Sequence, residues 1–402
     1  MTVLYLNPGA RMGGAETSLV ELLAALRAAR PDWRLCLWTG EDGPLLEQAR
    51  GLGVETKVLP LPREIAEAGD SGLAQQNKRW RAATKLLRAT LRVNQYGSAL
   101  AKEARSLCPD IVHATGLKMQ LLASLYLTGI APVIWHIHDY VSWRPVARRL
   151  LALLAGRVEG AIVNSISVAE DLLRSCPRLK RSQCIYNAVD AEALRRQVPL
   201  DLDAAAGAAP APPGILRIGL VATYARWKGH LTYLGALERL PRELPWRAYI
   251  VGGAIYQTAG SQHEASELQE EISRRELRQR VFLTGFLADR GGIMQALDVI
   301  VHASTKPEPF GMVVLEAMAC GKAVVASRSG GTLEIYEDEV SGLGHEPGSE
   351  ADLARQIERL CRDEELRQRL GEEGRKTAAE KFSRARLAQG LLAVYESWGK
   401  RA

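Results

Sequence analysis

Short runs of Val, Ile and Leu recur along the chain, separated by stretches of helical period. Runs at 3–7, 34–38, 111–114, 133–136, 161–164 and 183–185 are apolar on consecutive positions rather than on alternate ones. That pattern predicts strands buried on both faces, as in a parallel sheet covered by helices. Between the runs, spacings such as Leu19, Leu22, Leu23 and Leu26 place one apolar stripe on a helix. The strand pattern resumes at 216–221, 248–251, 281–284, 299–302 and 323–326. The stretch 201–214, rich in Ala, Pro and Gly, shows neither period and reads as a linker.

The alternation of strand and helix predicts an α/β fold with two Rossmann-like domains of parallel sheet. The expected division is 1–198, a linker at 199–214, 215–381, and a C-terminal helix at 382–402 crossing back to the first domain. Open sheets of this kind bind ligands beyond the carboxyl ends of their strands, so two of them are expected to face each other across a cleft. A chain of 402 residues suits two cores.

Charge changes the picture by being uneven. Of the net +6, residues 1–200 carry +8 and the remainder −2. A basic first half suits an anionic partner, and no zinc-finger spacing or RNA-binding aromatic signature accompanies it, so nucleic acid is not expected. Six cysteines without metal-ligand spacing read as reduced thiols of a cytoplasmic protein, not as a disulfide framework. No run of apolar residues is long enough to span a membrane, and 1–7 reads as a first strand rather than a signal peptide.

The segment with the most chemistry is 308–321, which places Glu308 and Glu316 eight positions apart around Pro309-Phe310-Gly311 and a helical run. A sharp turn at Gly311 leaves the amides from Gly311 to Met312 and Val313 without intrahelical partners at the positive end of a helix. Such a helix start suits the phosphates of a nucleotide. Glu308, before the turn, can accept from sugar hydroxyls, and Glu316, one turn in, can hold the paired hydroxyls of a ribose.

This segment, with Gly330-Gly331 after it, resembles the signature of the glycosyltransferase family 4 enzymes, which have the GT-B fold. The resemblance is strong over 217–342 and looser before 160. It implies a retaining, metal-independent transferase using a nucleoside diphosphate sugar as substrate, UDP favoured over GDP, with no cofactor. It assigns Glu308 to the donor sugar, Glu316 to the ribose, and Phe310 to Val313 to the donor site. Gly13 and Gly14, after the first strand, match the family's Gly-Gly loop facing the diphosphate and acceptor, with Arg11 beside it on the acceptor side. Lys228 matches the lysine that engages the diphosphate. The family's arginine five residues earlier is Thr223 here, and Arg226 is the candidate replacement. Gly252 matches a glycine-rich turn, and Phe286 and Leu287 match the loop whose backbone meets the base. His138 matches the family's histidine at the reacting centre, and His113 a strand end near the acceptor. The pair Asp201 and Asp203 resembles a metal-binding motif but lies in the expected linker, so no metal site is assigned.

The stretch 78–92 has six basic residues and no acid, and 142–154 is a second basic, leucine-rich stretch. Both suit the surface of an anionic membrane, which points to a glycan or lipid-linked acceptor of the cell envelope. Two other classes fit the same donor motif: a sugar-nucleotide 2-epimerase, which needs no acceptor, and a degenerate binding protein that turns nothing over.

Overall fold

The computed structural model describes residues 1–66, 79–254 and 261–399, with backbone alone for 64, 66 and 79–89. The chain forms two compact units. One comprises Met1–Ala188 and Arg384–Ala402, the other Val189–Ser383.

In the first unit, β1 (Thr2–Asn7), β2 (Arg34–Thr39), β3 (Glu55–Val58), β4 (Ile111–Thr115), β5 (Val133–Ile137), β6 (Gly160–Val163) and β7 (Ser182–Cys184) make one sheet. Its order is β3-β2-β1-β4-β5-β6-β7, and every pair is parallel. Central strands are buried on both faces because helices cover both. Val112, Ala114, Val133 and Trp135 meet Leu100, Met119, Leu122 and Leu151 on one side. On the other, Val3, Tyr5 and Ile134 meet Leu19, Leu22, Leu26, Leu391 and Tyr395. The last two belong to the Arg384–Trp398 helix, tied to the Gly14–Ala29 helix by Arg384 Nε donating to Glu21 Oε2 at 2.7 Å.

The second unit holds β8 (Leu216–Val221), β9 (Trp246–Val251), β10 (Val281–Gly285), β11 (Val299–His302), β12 (Ala323–Ser327) and β13 (Leu343–His345). Their order is β10-β9-β8-β11-β12-β13, again wholly parallel.

Three features differ from the sequence expectation. The edge strands β3 and β13 were not foreseen. An edge strand needs no continuous apolar run, and Glu-Thr-Lys-Val has none. The division between units falls at Ala188 rather than near residue 198. The stretch 199–214 is not a linker: it carries a helical turn, Leu202–Ala205, capped by Asp201 and folded onto the second unit. Asp203 pins it. This carboxylate, 2% exposed, accepts from the Tyr249 hydroxyl and from Arg247 Nη1, each at 2.6 Å, and from Arg217 Nη2 at 2.9 Å. The supposed metal-binding pair is thus one cap and one buried counter-ion. Among the described residues, no group of three or more His, Cys, Asp or Glu is arranged to hold a metal, and no helix is long and apolar enough to cross a membrane.

Residue 78 of the basic stretch 78–92 lies outside the described residues, as do the side chains of 79–89. The other basic stretch forms the helix Pro145–Leu154. Trp143, Val146, Leu150 and Leu153 are exposed at 41%, 41%, 42% and 68%. Val146, Leu150 and Leu153 share one exposed face of the helix, with exposed Arg149 beside it, exposed Arg148 further round and Trp143 in the turn just before.

Candidate functional site

In the second unit the strand ends build a charged constellation. β8 is followed by the turn Arg226–Lys228 and the helix His230–Glu238. β11 ends at His302, and four residues beyond Ser304 comes Glu308. Glu308 Oε2 accepts from Lys228 Nζ at 2.7 Å and from the Ser304 hydroxyl at 3.0 Å, and lies 3.1 Å from His302 Nε2. Behind it, Gly331 N–H donates to the Glu308 carbonyl at 2.7 Å, so the Gly330-Gly331 turn holds the backbone. Burial would raise the Glu308 pKa. The Lys228 charge and the His302 and Lys228 hydrogen bonds outweigh burial and hold it at about 2. Glu308 is therefore a carboxylate at neutral pH, fixed in direction and shielded from water.

Gly311 follows at φ 110°, a left-handed backbone that favours glycine, and caps the helix Met312–Ala319 without a side-chain hydrogen bond. The first amide to close back is Val314 N–H onto Gly311 O at 3.0 Å, so those of Met312 and Val313 precede the intrahelical ladder. Glu316, one turn in and 5% exposed, is paired with Arg290, the first residue of the helix Arg290–Ala296. Gly252 lies at φ 151°, and a Cβ there would stand 1.8 Å from Ala222 O, so only glycine permits this approach of β9 to β8. Phe286 is exposed at 63% and Leu287 half-buried, on the turn after β10.

Three of the expected site residues have surroundings that the sequence did not foretell. The Arg226 guanidinium donates to both carboxylate oxygens of Glu267, at 2.8 and 3.0 Å. That fork is the geometry guanidinium and carboxylate favour, and it draws Arg226 toward the Ala265–Arg274 helix. Phe310 is a core side chain, 2% exposed and edge-on to Phe382, leaving only its backbone for a ligand. His113, expected on the acceptor side, is fully buried in β4, with Nδ1 facing Tyr395 and Nε2 facing His136.

In the first unit, Gly13 caps the Gly14–Ala29 helix, and a Cβ on Gly14 would meet nothing within 4 Å. A Cβ on Gly13 would stand 2.9 Å from Glu16 Oε2, and the Asn7 Nδ2 before this loop donates to the Gly9 carbonyl at 2.7 Å. Arg11 is 83% exposed at its side chain and lies 3.9 Å from Glu41. His138 stands just past β5, half-buried, its carbonyl accepting from Asn164 Nδ2 at 3.4 Å. Its Nε2 is shielded and has no hydrogen-bond partner among the described residues. Burial holds its pKa down to about 4, so the ring is neutral at pH 7.

Sequence reading missed His302, Ser304 and Arg290. His302 had a signal, a polar residue closing the apolar run Val299–His302 four residues before a Pro-rich turn. Arg290 had none, because only the packing of two helices brings it to Glu316.

Residues 211–377 match the family model described as glycosyl transferases group 1, and residues 12–193 the model described as glycosyltransferase family 4. The lipopolysaccharide core biosynthesis glycosyltransferase LpsE of Rhizobium meliloti is 32% identical over 42% of this chain and 46% of its own length. The chain likewise spans less than half the length of two Methanocaldococcus jannaschii relatives described as uncharacterized glycosyltransferases. The alpha-maltose-1-phosphate synthase of Mycobacterium tuberculosis is 27% identical over 95% of both chains. Among solved structures, Anabaena HepE in complex with UDP and glucose superposes with a TM-score of 0.79 at 24% identity, covering 98% of this chain and 99% of that one. That likeness shows the fold, the two Rossmann-like halves of the GT-B architecture.

Proposed function

Because the chain belongs to the family 4-like glycosyltransferases, we propose that it moves a sugar from a nucleoside diphosphate sugar, UDP favoured, to a hydroxyl acceptor with retention. The observation that carries this reading is the buried Lys228–Glu308 pair beside the helix start at Gly311. A cation and free amides suit a diphosphate, and a fixed carboxylate suits the hydroxyls of the sugar beyond it. Glu316 takes the ribose diol, sharing its carboxylate with Arg290. The structure of Anabaena HepE with UDP-glucose supports a nucleotide sugar as the substrate class.

In the proposed step the acceptor hydroxyl attacks the anomeric carbon from the side on which the bond to phosphate breaks. The departing phosphate takes the acceptor proton, while Lys228 and the amides of Met312 and Val313 stabilise its charge. Glu308 orients the sugar, and the neutral His138 ring is the further hydrogen-bonding group we assign to the transfer step. No carboxylate is asked to act as nucleophile, and no metal is required.

The acceptor we propose is a glycan or lipid-linked glycan of the cell envelope, reached at an anionic membrane surface. The exposed apolar face of Val146, Leu150 and Leu153, with Trp143 just before it and the nearby arginines, supports this placement.

Calorimetric titration with UDP, GDP and NAD in EDTA tests the donor site. Metal-free binding of UDP alone is the expected result. Binding of NAD in place of either diphosphate, or none at all, would remove the reading.

A further inference from the structure

On the face of the first sheet that packs against the Arg384–Trp398 helix, four buried polar rings form a continuous line. The Tyr5 and Tyr395 hydroxyls are 3.0 Å apart, and the Tyr395 hydroxyl is 2.6 Å from His113 Nδ1. His113 Nε2 is in turn 3.0 Å from His136 Nδ1. The His136 ring then lies against His138, with centroids 3.9 Å apart and the ring planes tilted by 38°. Tyr5, Tyr395 and His113 are 0% exposed and His136 3%. Their positions follow from the register, in which Tyr5 and His113 are direct partners across β1 and β4.

We propose that Tyr395, on the C-terminal Arg384–Trp398 helix, is a positioning residue for His138, setting the tautomers of His113 and His136 and through them the ring against which His138 rests. The proposal rests on the reading that His138 serves the transfer step.

The direction of the line follows from donor and acceptor strength. A phenol hydroxyl is a better donor than an imidazole N–H, and an imidazole nitrogen is a better acceptor than a phenol oxygen. Tyr5 therefore donates to Tyr395, and Tyr395 to His113 Nδ1. A neutral His113 must then carry its proton on Nε2, which donates to His136 Nδ1. That leaves the His136 proton on Nε2, an atom shielded from water and without a hydrogen-bond partner among the described residues. Both rings stay neutral because burial pushes their pKa values down, that of His113 to about 3. From the opposite face, Gln120 Nε2 donates to the His136 carbonyl at 2.8 Å, so the backbone cannot follow a change in the ring. What can change is the tautomer. A helix from the far end of the sequence thus decides which nitrogen of His136 bears hydrogen beneath His138.

Removing the Tyr395 hydroxyl leaves His113 Nδ1 without a donor. The line can then run in reverse, with protons on both Nδ1 atoms. Removing the Tyr5 hydroxyl leaves the Tyr395 donation intact. Both variants lose one buried hydroxyl, so a purely structural role affects them alike, whereas the proposed role separates them.

The test uses the full chain labelled with nitrogen-15 at histidine, of which there are seven. Long-range proton–nitrogen spectra should show His113 and His136 as Nε2–H tautomers in the parent and in Tyr5→Phe. In Tyr395→Phe both should become mixtures. With UDP-glucose as the probe, kcat should fall about tenfold in Tyr395→Phe, the scale of one lost hydrogen bond, with UDP affinity unchanged and with Tyr5→Phe unaffected. Unchanged tautomers in Tyr395→Phe overturn the proposal, as do altered tautomers with unchanged kcat or equal losses in both variants. No turnover of any nucleotide sugar by the parent chain overturns the activity reading instead, and the spectra then judge the Tyr395 line by themselves.

Discussion

Lys228 Nζ lies 2.7 Å from Glu308 Oε2, and the two side chains are only 19% and 10% exposed. A buried pair of this kind is costly to break from one side, because the remaining charge stays buried. In the proposed reading it would also couple two halves of one ligand, a diphosphate competing for the lysine and sugar hydroxyls for the carboxylate.

Glu308→Gln keeps the shape and frees Lys228 from its counter-ion. UDP affinity should be equal to or higher than that of the parent, while sugar transfer falls by about a hundredfold or more. Calorimetry and a turnover assay check the two arms. Full turnover in this variant would place the sugar elsewhere. Lys228→Ala should do the reverse, weakening UDP binding about tenfold or more and lowering thermal stability.

Glu316→Ala removes both the proposed ribose acceptor and the partner of Arg290. Affinity for UDP should drop about tenfold to a hundredfold, one or two charge-assisted hydrogen bonds. The parent should discriminate against a nucleotide lacking the ribose hydroxyls, and the variant should not. A variant that still discriminates disproves the ribose assignment.

Asp203→Ala tests the fold rather than the site. Arg217, Arg247 and Tyr249 would lose a shared buried acceptor. The expected cost is about 3–5 kcal/mol, read as a lower denaturant midpoint of the second unit. A midpoint unchanged within error would mean that 199–214 behaves as a linker after all.

His230 gives the protein an acid-sensitive stability. The ring is 0% exposed, neither nitrogen has a hydrogen-bond partner among the described residues, and burial with nearby His263 and Lys228 pushes its pKa down to about 3. The unfolded chain protonates this imidazole below about pH 6.5, while the folded chain does not until much lower pH. Unfolding therefore takes up a proton in that window, and stability falls as pH falls, by up to about 1.4 kcal/mol per pH unit. His113 and His138 act with the same sign. His230→Leu should lose stability less steeply than the parent between about pH 6.5 and pH 5. Parallel slopes would show that the buried ring does not control the effect.

The Pro145–Leu154 helix should bind vesicles containing anionic lipid and release them at high salt. Replacing Leu150 and Leu153 with Ser should abolish cosedimentation and leave UDP affinity unchanged. Equal binding to neutral vesicles would argue against the role of Arg148 and Arg149.

The sequence by itself determined the repeating strand–helix pattern, because strands buried on both faces leave continuous apolar runs. It also determined the motif from Glu308 to Glu316, because a helix start, a turn glycine and two acids sit within one short segment. That Gly14, His138 and Lys228 follow the ends of strands was legible from the strand pattern, whereas their proposed roles came from the resemblance. Tertiary structure alone decided who faces whom. Arg226 went to Glu267, and Arg290 to Glu316, through helix packing that no local spacing encodes. His113 sank into the core because β4 lies in the middle of its sheet, where a strand has no open face. Residues 199–214 looked like a linker by composition, yet one carboxylate, placed where two arginines and a tyrosine converge from β8 and β9, was enough to fold them down. Local pattern specifies elements, and only the meeting of distant elements specifies which charges and rings are paired.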